Sequence, residues 1–337
     1  MSALHGWLIL DKPVGLGSTQ AVSAVKRALR EGGYAKVKVG HGGTLDPLAS
    51  GVLPVALGEA TKLSGRMLDA DKAYLFTIRF GEKTDTLDME GAVIATSEQR
   101  ATLSEVEAVL PRFTGEINQV PPAYSALKVD GKRAYDLARA GAEVVLATRP
   151  VTVHELTILP GTGRGTVAAG EGGGGARRTL DSPTAPSTSF AGPPPRAGED
   201  LLEEVTLSAR VSKGTYIRSL ARDIAQALGT VGHVTMLRRT KAGPFTLVQA
   251  ISLDKLVASA KSRRLEEEAL LPLAAGLDDI PALPVTAVQA DLLRHGQQPA
   301  AGHAARPGLH LALLDGVPVA LVESIGGLLR VVRGFNL

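Results

Sequence analysis

The stretch GHGGTLDPLASGVLPVALGEATKL, residues 40–63, places Asp46 in a loop rich in glycine. Glycine lets the backbone approach a ligand closely, and Pro47 restricts the conformation of the residue before it. The sequence therefore predicts that the carboxylate of Asp46 is presented rigidly. An Asp-Pro pair taken alone is more often a turn than a catalytic site, so the rest of the chain has to decide between the two.

The segment before this stretch predicts a strand followed by a helix. Residues 7–10 are apolar and β-prone, and a turn with a proline and a glycine follows them. We expect Ser18 to cap a helix that buries one apolar face and stops at Gly32 and Gly33. That face is formed by Val22, Val25 and Leu29.

The segments after it predict more strands and one further helix. Residues 74–80 and 205–211 alternate apolar side chains with others, the period of two that is typical of a strand. From Tyr216 the apolar period becomes that of an amphipathic helix, which Gly229 closes. Strands and helices mix without regular β-α-β alternation, so we predict an α+β fold with a mixed central sheet.

Two further segments divide the chain. Residues 161–200 lose all periodicity and are rich in Gly, Pro, Ser and Thr, which predicts a disordered insertion in a catalytic domain of residues 1–279. Residues 280–337 contain short apolar runs typical of strands, which predict a small β-rich C-terminal domain.

Composition excludes several kinds of site. The 337 residues include no cysteine, so disulfides, thiolate metal sites and cysteine nucleophiles are excluded, and a reducing compartment is expected. No apolar run reaches the roughly 18 residues that span a bilayer, and the first residues do not resemble an export signal, so we expect a soluble cytoplasmic protein.

The net charge of +3 permits a polyanionic partner without requiring one. Basic residues gather in two clusters, which either grip a phosphate backbone or are ordinary solvated faces. The first cluster is Lys12, Lys26, Arg27, Arg30, Lys36 and Lys38, and the second is Arg210, Lys213, Arg218, Arg222, Arg238, Arg239 and Lys241.

The stretch at 40–63 resembles the catalytic motif of the TruB-type tRNA pseudouridine-55 synthases over its whole length. Further segments resemble the same family in the same order: GWLILDKPVGLGS (6–18), KAYLFTIRFGEKTDTLDMEG (72–91), GTYIRSLARDIAQALG (214–229) and HVTMLRRTKAGPF (233–245). The resemblance implies a pseudouridine synthase fold. Residues 280–337 resemble more loosely the PUA-like domain that many members carry.

The resemblance also implies roles for single residues. Asp46 matches the essential aspartate that detaches uracil from its ribose, and Arg218 would pair with it and favour its charged form. Tyr74 matches the tyrosine that stacks on the target base, Tyr216 a second pocket tyrosine, and Leu237 an apolar contact. Without the motif, a tyrosine in an alternating strand is usually core, and an arginine on an amphipathic helix is usually solvated.

Three more residues match family positions at the rim of the site. His41 would contact the RNA and help to occupy the space left by the extruded base. Lys12 and Lys62 would support the active-site loop or contact phosphate, and either could equally be a surface lysine. The isomerisation consumes no redox equivalent and no nucleotide, so no cofactor and no metal are expected, and the sequence contains no phosphate-binding or dinucleotide-binding motif.

The implied function is isomerisation of a T-loop uridine of tRNA by a monomer that flips the base and needs neither a guide RNA nor an obligatory protein partner. Three alternatives stay open at this point. The chain could be a non-catalytic RNA-binding protein, or a guide-RNA-dependent synthase of the related archaeal and eukaryotic branch. It could also be a glycosidase that uses Asp46 with Asp85 or Asp88.

Overall fold

The computed structural model describes residues 4–125, 127–129, 131–142, 144, 146–160, 201–302 and 305–337. The predicted disordered insertion at 161–200 lies outside the described residues. Within them, no helix is both long and apolar enough to cross a membrane.

The described residues form twenty strands. In chain order, β1 to β10 are Gly6–Lys12, Val39–His41, Ala49–Leu57, Lys72–Phe80, Glu82–Thr84, Val93–Thr96, Ala101–Thr102, Gly115–Gln119, Lys128–Val129 and Lys132–Arg133. Strands β11 to β20 are Arg149–Ile158, Leu201–Leu202, Glu204–Val211, Gly232–Ala242, Phe245–Thr246, Leu270–Leu271, Ala282–Pro284, Gly308–Leu314, Val317–Ile325 and Leu328–Gly334.

Eight α-helices and four short 3-10 segments connect these strands in the described part of the chain. Helices α1 to α8 are Ser18–Glu31, Ser64–Asp69, Leu103–Val109, Ala134–Arg139, Ile217–Ala227, Leu253–Lys261, Leu265–Glu268 and Ala287–Arg294. The 3-10 segments are Gly58–Leu63, Leu110–Phe113, Leu247–Gln249 and Leu273–Gly276.

A ten-stranded mixed sheet organises the larger part of the fold. Its order is β16-β1-β3-β14-β4-β13-β11-β8, with β2 paired to β3 and β15 paired to β14. Strand β14 runs parallel to β3 and antiparallel to β4, so it joins the N-terminal strands to the rest of the sheet. The predicted α+β fold with a mixed central sheet is confirmed, as are the strands predicted at 74–80 and 205–211 and the helix that starts after Tyr216.

Two apolar clusters lie against this sheet. One packs β4, β11, β13 and β14 against α3 and α5, around the fully buried Phe76 and Leu220. The other packs β1 and β3 against α1 and α6, around the fully buried Leu8 and Val25. Burying each such side chain stabilises the fold by about 1.5–3 kcal/mol, and this gain determines which face of each element packs into the core. The cleft described below lies where the two clusters meet, since Tyr74 and Leu237 contact both of them.

The C-terminal segment forms its own four-stranded sheet in the order β17-β18-β19-β20, which confirms the predicted small β-rich unit. Helix α8 covers one part of it around Ala290 and Leu293. A third cluster contains Trp7 from β1 together with Leu321 and Phe335 from the C-terminal segment, so the small sheet shares a core with the large one. The domain boundary at residue 280 and the PUA-like assignment stay predictions.

Candidate active site

Asp46 lies in the loop between β2 and β3, and neighbouring elements fix this loop through its backbone. The Ser18 hydroxyl donates to the carbonyl of Leu45 at 3.0 Å and accepts from its amide at 2.8 Å. Lys12 Nζ donates to the carbonyl of Pro47 at 3.3 Å and to that of Leu16 at 2.6 Å. The residues on both sides of Asp46 are thus held, which presents its carboxylate rigidly, as the sequence predicts.

The capping role predicted for Ser18 is wrong. Gly17 occupies the N-cap of α1, and Ser18 is the first residue of the helix. Its hydroxyl is buried against Leu45 instead, because β1 and the turn after it bring the start of the helix against the Asp46 loop. Lys12 is fully buried, so its position supports the first of its two predicted roles, bracing the active-site loop.

Arg218, in the first turn of α5, faces Asp46. Its Nη2 lies 3.1 Å from Oδ2 of Asp46, and its Nη1 lies 3.4 Å from Oδ2 of Asp88. The same two nitrogens donate to the carbonyls of Tyr124 at 2.9 Å and Thr86 at 2.8 Å. The Arg218 side chain is 8% exposed and that of Asp46 is 41% exposed, so the arginine is fixed inside the protein while the carboxylate can meet a ligand.

A cavity of about 290 Å³ opens beside this ion pair. Tyr74 from β4, Tyr216 at the start of α5 and Leu237 from β14 line it together with Asp46 and Arg218. Burial raises the pKa of the Tyr216 phenol, so this group is protonated at neutral pH. The structure therefore brings together the predicted carboxylate, its arginine partner and the three predicted pocket residues.

His41 lies on a second, wider groove of about 1070 Å³ that shares Asp46 and Arg218 with the cavity. Burial lowers the pKa of the His41 imidazole, which favours the neutral ring. Tyr124, Tyr135 and residues 17–20 also line this groove. The cavity and the groove meet at Asp46 and Arg218, which line both of them.

Lys62 does not lie in the cavity or the groove. Its Nζ donates to Glu59 at 2.6 Å and to the carbonyl of Gly334 in the C-terminal sheet at 2.9 Å. These contacts connect the large sheet to the small one. An RNA contact by Lys62 stays a prediction.

Only some members of the two basic clusters lie on the protein surface. Lys12, Arg218 and Arg239 are buried, so for these three neither a phosphate-binding surface nor a solvated face is correct. Arg238 is paired with Asp11 at 2.8 Å. Lys12 and Arg239 are buried by the register of their strands and Arg218 by the packing of α5, and a count of charges along the sequence cannot show this. The exposed members are Lys26, Arg27, Arg30, Lys36, Lys38, Arg210, Lys213 and Lys241.

Sequence reasoning missed three side chains of this site. Asp88 was named only as a possible second glycosidase carboxylate, Arg239 only as a member of a basic cluster, and Lys72 only as the first residue of the motif at 72–91, with no role assigned. Lys72 and Arg239 line the cavity. The spacing of two between Lys72 and Tyr74 on one strand is the signal that could have identified the lysine.

Among the described residues, no group of three or more His, Cys, Asp or Glu side chains is arranged to hold a metal ion. The functional groups of the site are a carboxylate, an arginine, two phenols and two further cations around a cavity of the size of a small ring system. Such a set can support acid, base or nucleophilic chemistry by the carboxylate.

The chain belongs to the TruB family of pseudouridylate synthases, a family of RNA uridine isomerases. Residues 29–168 match the N-terminal domain of this family, and residues 218–279 match the tRNA pseudouridylate synthase B C-terminal domain. A tRNA pseudouridine synthase B from Novosphingobium aromaticivorans is 56% identical over 99% of this chain and 98% of the relative. One from Zymomonas mobilis is 54% identical over 99% of this chain and 97% of the relative. The resemblance inferred from the motifs is confirmed.

Solved structures show the same fold. A chain in a structure of an H/ACA RNP bound to a substrate RNA containing 2′-deoxyuridine aligns with a TM-score of 0.66 and 24% identity, over 99% of this chain and 86% of that one. A chain in a Cbf5-Nop10-Gar1 complex aligns with the same TM-score and identity, over 98% and 85%. The predicted pseudouridine synthase fold is therefore confirmed.

Proposed function

We propose that this chain isomerises the T-loop uridine at position 55 of tRNA to pseudouridine, with Asp46 as the essential carboxylate. The observation that carries the proposal is the ion pair of Asp46 with Arg218 at the mouth of a cavity lined by two tyrosines and a leucine. The relatives named tRNA pseudouridine synthase B, similar over nearly the whole chain, support tRNA as the substrate.

The proposal requires the target base to leave its stack. Asp46 lies where the narrow cavity meets the wide groove, and a base stacked inside an RNA loop cannot enter the cavity. Enzymes that act on a single base extrude it into such a pocket and pay a few kcal/mol for unstacking. The proposal assigns Tyr74 to stacking on the extruded uracil, Tyr216 and Leu237 to its other contacts, and His41 to the RNA next to it.

The chemistry then takes place at Asp46. The proposal requires the ionised carboxylate for the detachment of uracil from C1′ of the ribose, and Arg218 orients this carboxylate at 3.1 Å. The carboxylate acts on the sugar or on the base, the C1′–N1 bond breaks, and C5 of the ring becomes bonded to C1′ in its place. The C5 proton is lost and N1 gains a proton, so that the reaction is an isomerisation without cofactor.

The glycosidase alternative has little support in this geometry. A glycosidase needs one carboxylic acid that is protonated, and its carboxyl groups flank the scissile bond. Asp46 and Asp88 instead lie on either side of the Arg218 guanidinium, and the Asp88 side chain is only 9% exposed. A substrate cannot pass between them without displacing the arginine.

We further propose that the chain acts in the cytoplasm as a monomer on bare tRNA. The deciding experiment incubates the purified full chain with an unmodified tRNA transcript, without added cofactor, metal, guide RNA or partner, and maps pseudouridine at single-nucleotide resolution. The expected result is one modified T-loop uridine with the wild-type chain and none with Asp46→Asn. Asp291→Asn, an exposed carboxylate on α8, is the matched control and should keep full activity.

Binding separates this proposal from the RNA-binding alternative. Asp46→Ala should bind the transcript within about tenfold of the wild-type affinity, because phosphate contacts dominate affinity for RNA. Tight binding by a wild-type chain that modifies no uridine would favour the non-catalytic alternative. Modification only after a guide RNA is added would favour the guide-dependent branch.

A further inference from the structure

Three buried cations near the site have no carboxylate partner among the described residues. Lys12, Lys72 and Arg239 are at most 8% exposed and form no salt bridge there. Main-chain carbonyls hold them instead. Lys72 Nζ donates to Leu68 and to Ala70, each at 2.6 Å, and Arg239 donates from Nε to Val52 at 2.8 Å and from Nη1 to Thr44 at 3.1 Å. Buried charges in proteins are normally paired, because leaving water costs them several kcal/mol.

Two of these cations face the cavity. Lys72 and Tyr74 are two positions apart on β4, and Arg239 on β14 is the direct cross-strand partner of Tyr74. Side chains two apart on one strand, and direct partners on neighbouring strands, project from the same face of a sheet. All three residues line the cavity of about 290 Å³.

One nitrogen of this group has no acceptor. Nη2 of Arg239 is buried and makes no hydrogen bond to any described residue, although the other two nitrogens of the guanidinium do. A buried donor without a partner costs about 1–3 kcal/mol and asks for an explanation. The described residues therefore leave part of the Arg239 guanidinium without a hydrogen-bond partner.

The charges that line the cavity do not balance. Asp46 is the only acidic residue among the described residues that line it, and Arg218 already pairs with that carboxylate. Lys72 and Arg239 therefore add positive potential that no side chain of the lining offsets. Two such cations stabilise a neutral uracil ring far less than they stabilise an anion, so binding of the neutral ring does not explain them.

We propose that Lys72 and Arg239 stabilise the uracil ring while it is detached from the ribose and carries a negative charge. This inference rests on the proposed function. When the C1′–N1 bond breaks, its electron pair stays with the ring, and the charge is shared by N1 and the two carbonyl oxygens. The ribose is left short of an electron pair at C1′, and Asp46 supplies it by bonding to C1′ or by removing the C2′ proton. C5 of the ring then forms its bond to C1′ while the bond between Asp46 and C1′ breaks, or while Asp46 returns the proton to C2′. N1 gains a proton and C5 loses one.

The two cations act on the chemical step and not on binding. They are fixed before the reaction by main-chain hydrogen bonds, so no reorganisation is needed when the charge develops. The charge is absent from bound, intact tRNA, so the interaction strengthens only on the way to the detached state. Their loss should lower the rate of the chemical step and leave affinity for tRNA almost unchanged.

The experiment compares two leaving groups. Single-turnover cleavage is followed as the disappearance of the starting nucleoside at the T-loop position, in transcripts that contain uridine or 5-fluorouridine. Fluorine stabilises the ring anion, so a 5-fluorouracil ring depends less on outside positive charge. We expect Lys72→Met to slow cleavage about 100-fold on uridine and about tenfold or less on 5-fluorouridine. The dissociation constant for the transcript should stay within about threefold.

Three further variants make the result specific. Lys72→Arg keeps the charge and should restore most of the rate on uridine. Arg239→Gln should also slow cleavage more on uridine than on 5-fluorouridine. In Arg239→Lys, which keeps the charge, the difference between the two substrates should be smaller. Arg264→Met, which removes an exposed cation at the N-cap of α7 that lines neither the cavity nor the groove, should slow neither substrate. Thermal unfolding of each variant identifies any that fails to fold.

The outcomes separate this inference from the function on which it rests. Equal slowing on both transcripts, or no slowing of Lys72→Met and Arg239→Gln, overturns the role of the two cations while the wild-type chain remains a synthase. A wild-type chain that cleaves neither transcript overturns the proposed function and this inference together.

Discussion

Nη1 of Arg218 lies 3.4 Å from Oδ2 of Asp88, while Nη2 of the same guanidinium faces Asp46. Asp88 is itself fixed, since its Oδ1 accepts from the Thr86 hydroxyl at 2.6 Å and from the Glu90 amide at 3.0 Å. Arg218 therefore orients the carboxylate that we propose to act on the substrate, and a second, buried carboxylate orients Arg218.

Asp88→Asn should lower the rate of isomerisation without weakening tRNA binding. In the variant, the side-chain oxygen of the asparagine can still accept from Thr86 and Glu90, so its NH2 group faces Arg218. Two hydrogen-bond donors then face each other, and repulsion replaces the attraction between Arg218 and the carboxylate. A displacement of about 1 Å at a reacting group can cost about 100-fold, so we expect a loss of about tenfold to 100-fold in kcat. Steady-state kinetics measure it, with the exposed Asp279→Asn as control. A raised KM with unchanged kcat would contradict the assignment.

Tyr124→Phe tests the second support of Arg218. The Tyr124 hydroxyl donates to Asp85 at 3.1 Å, and the Tyr124 carbonyl accepts from Arg218 at 2.9 Å. The hydrogen bond to Asp85 raises the pKa of the Tyr124 phenol, so the hydroxyl remains a donor at neutral pH. Its loss should lower kcat about threefold to tenfold, the effect of a hydrogen bond of about 1 kcal/mol. In a double-mutant cycle with Asp85→Asn, purely additive effects would show that the two residues do not act together.

The rate should fall as the pH rises through about 8. Burial lowers the pKa of Lys72 to about 8, with a further decrease from Arg239. The other charged groups that act on it are Asp69 and Asp71, which raise its pKa, and Lys213, which lowers it. The charged form is the one proposed to stabilise the detached ring, and deprotonation removes it. Single-turnover rates from pH 6.5 to 10 measure the effect.

Lys72→Arg separates this titration from others in the site, because burial also lowers the pKa of Lys12 to about 8. An arginine stays charged over the whole range, so the fall in rate should move to higher pH. Identical profiles for the variant and the wild type would assign the titration to another group.

Stability should change with pH in the opposite direction. Between about pH 8 and 10.5 the unfolded chain binds a proton at Lys72 that the folded chain has lost, so the free energy of unfolding rises with pH over this interval. Lys72→Met lacks this titration. The stability gained by Lys72→Met relative to the wild type should therefore be larger at pH 7 than at pH 10, as urea unfolding at both values would measure. A difference that does not depend on pH would argue against a buried, charged Lys72.

Gly51→Ala should destabilise the fold by more than about 2 kcal/mol, since it combines backbone strain with a clash. Gly51 has φ +101°, and a Cβ there would lie 2.1 Å from the carbonyl oxygen of Arg239 on the neighbouring strand. Gly15→Ala is the matched control, because its φ is +86° but nothing lies within 4 Å of the added carbon. Thermal unfolding of both variants separates the clash from the strain alone, and equal melting temperatures would exclude the clash.

Much of this architecture could be predicted from local patterns. The alternation at residues 74–80 and 205–211 and the apolar stripe after Tyr216 each appear as the expected element. Such patterns depend on neighbouring residues only, and burial of one face fixes them whatever the rest of the chain does. The meeting of Asp46, Tyr74 and Arg218 could be predicted only from the family motifs, because no periodicity states which loop a strand or helix will approach.

The remaining parts of the site depend on register between strands that are distant in sequence. Arg239 looked like a surface cation because it stands in a basic run, and its pairing opposite Tyr74 is set by residues 72–80. Ser18 looked like a cap because a serine at the start of a helix usually is one, and its true partner, Leu45, is 27 residues away. In both cases a local rule was outweighed by a tertiary contact that the local sequence does not encode.

The place of β14 in the sheet has a consequence for the order in which a growing polypeptide can acquire this cleft. The strand lies between β3 and β4, so the Asp46 loop and Tyr74 belong to two halves that β14 joins. During translation β3 and β4 leave the ribosome long before residues 232–242 do, and until then neither strand has β14 paired to its edge. The nascent chain therefore cannot complete the cavity until synthesis has entered its last third.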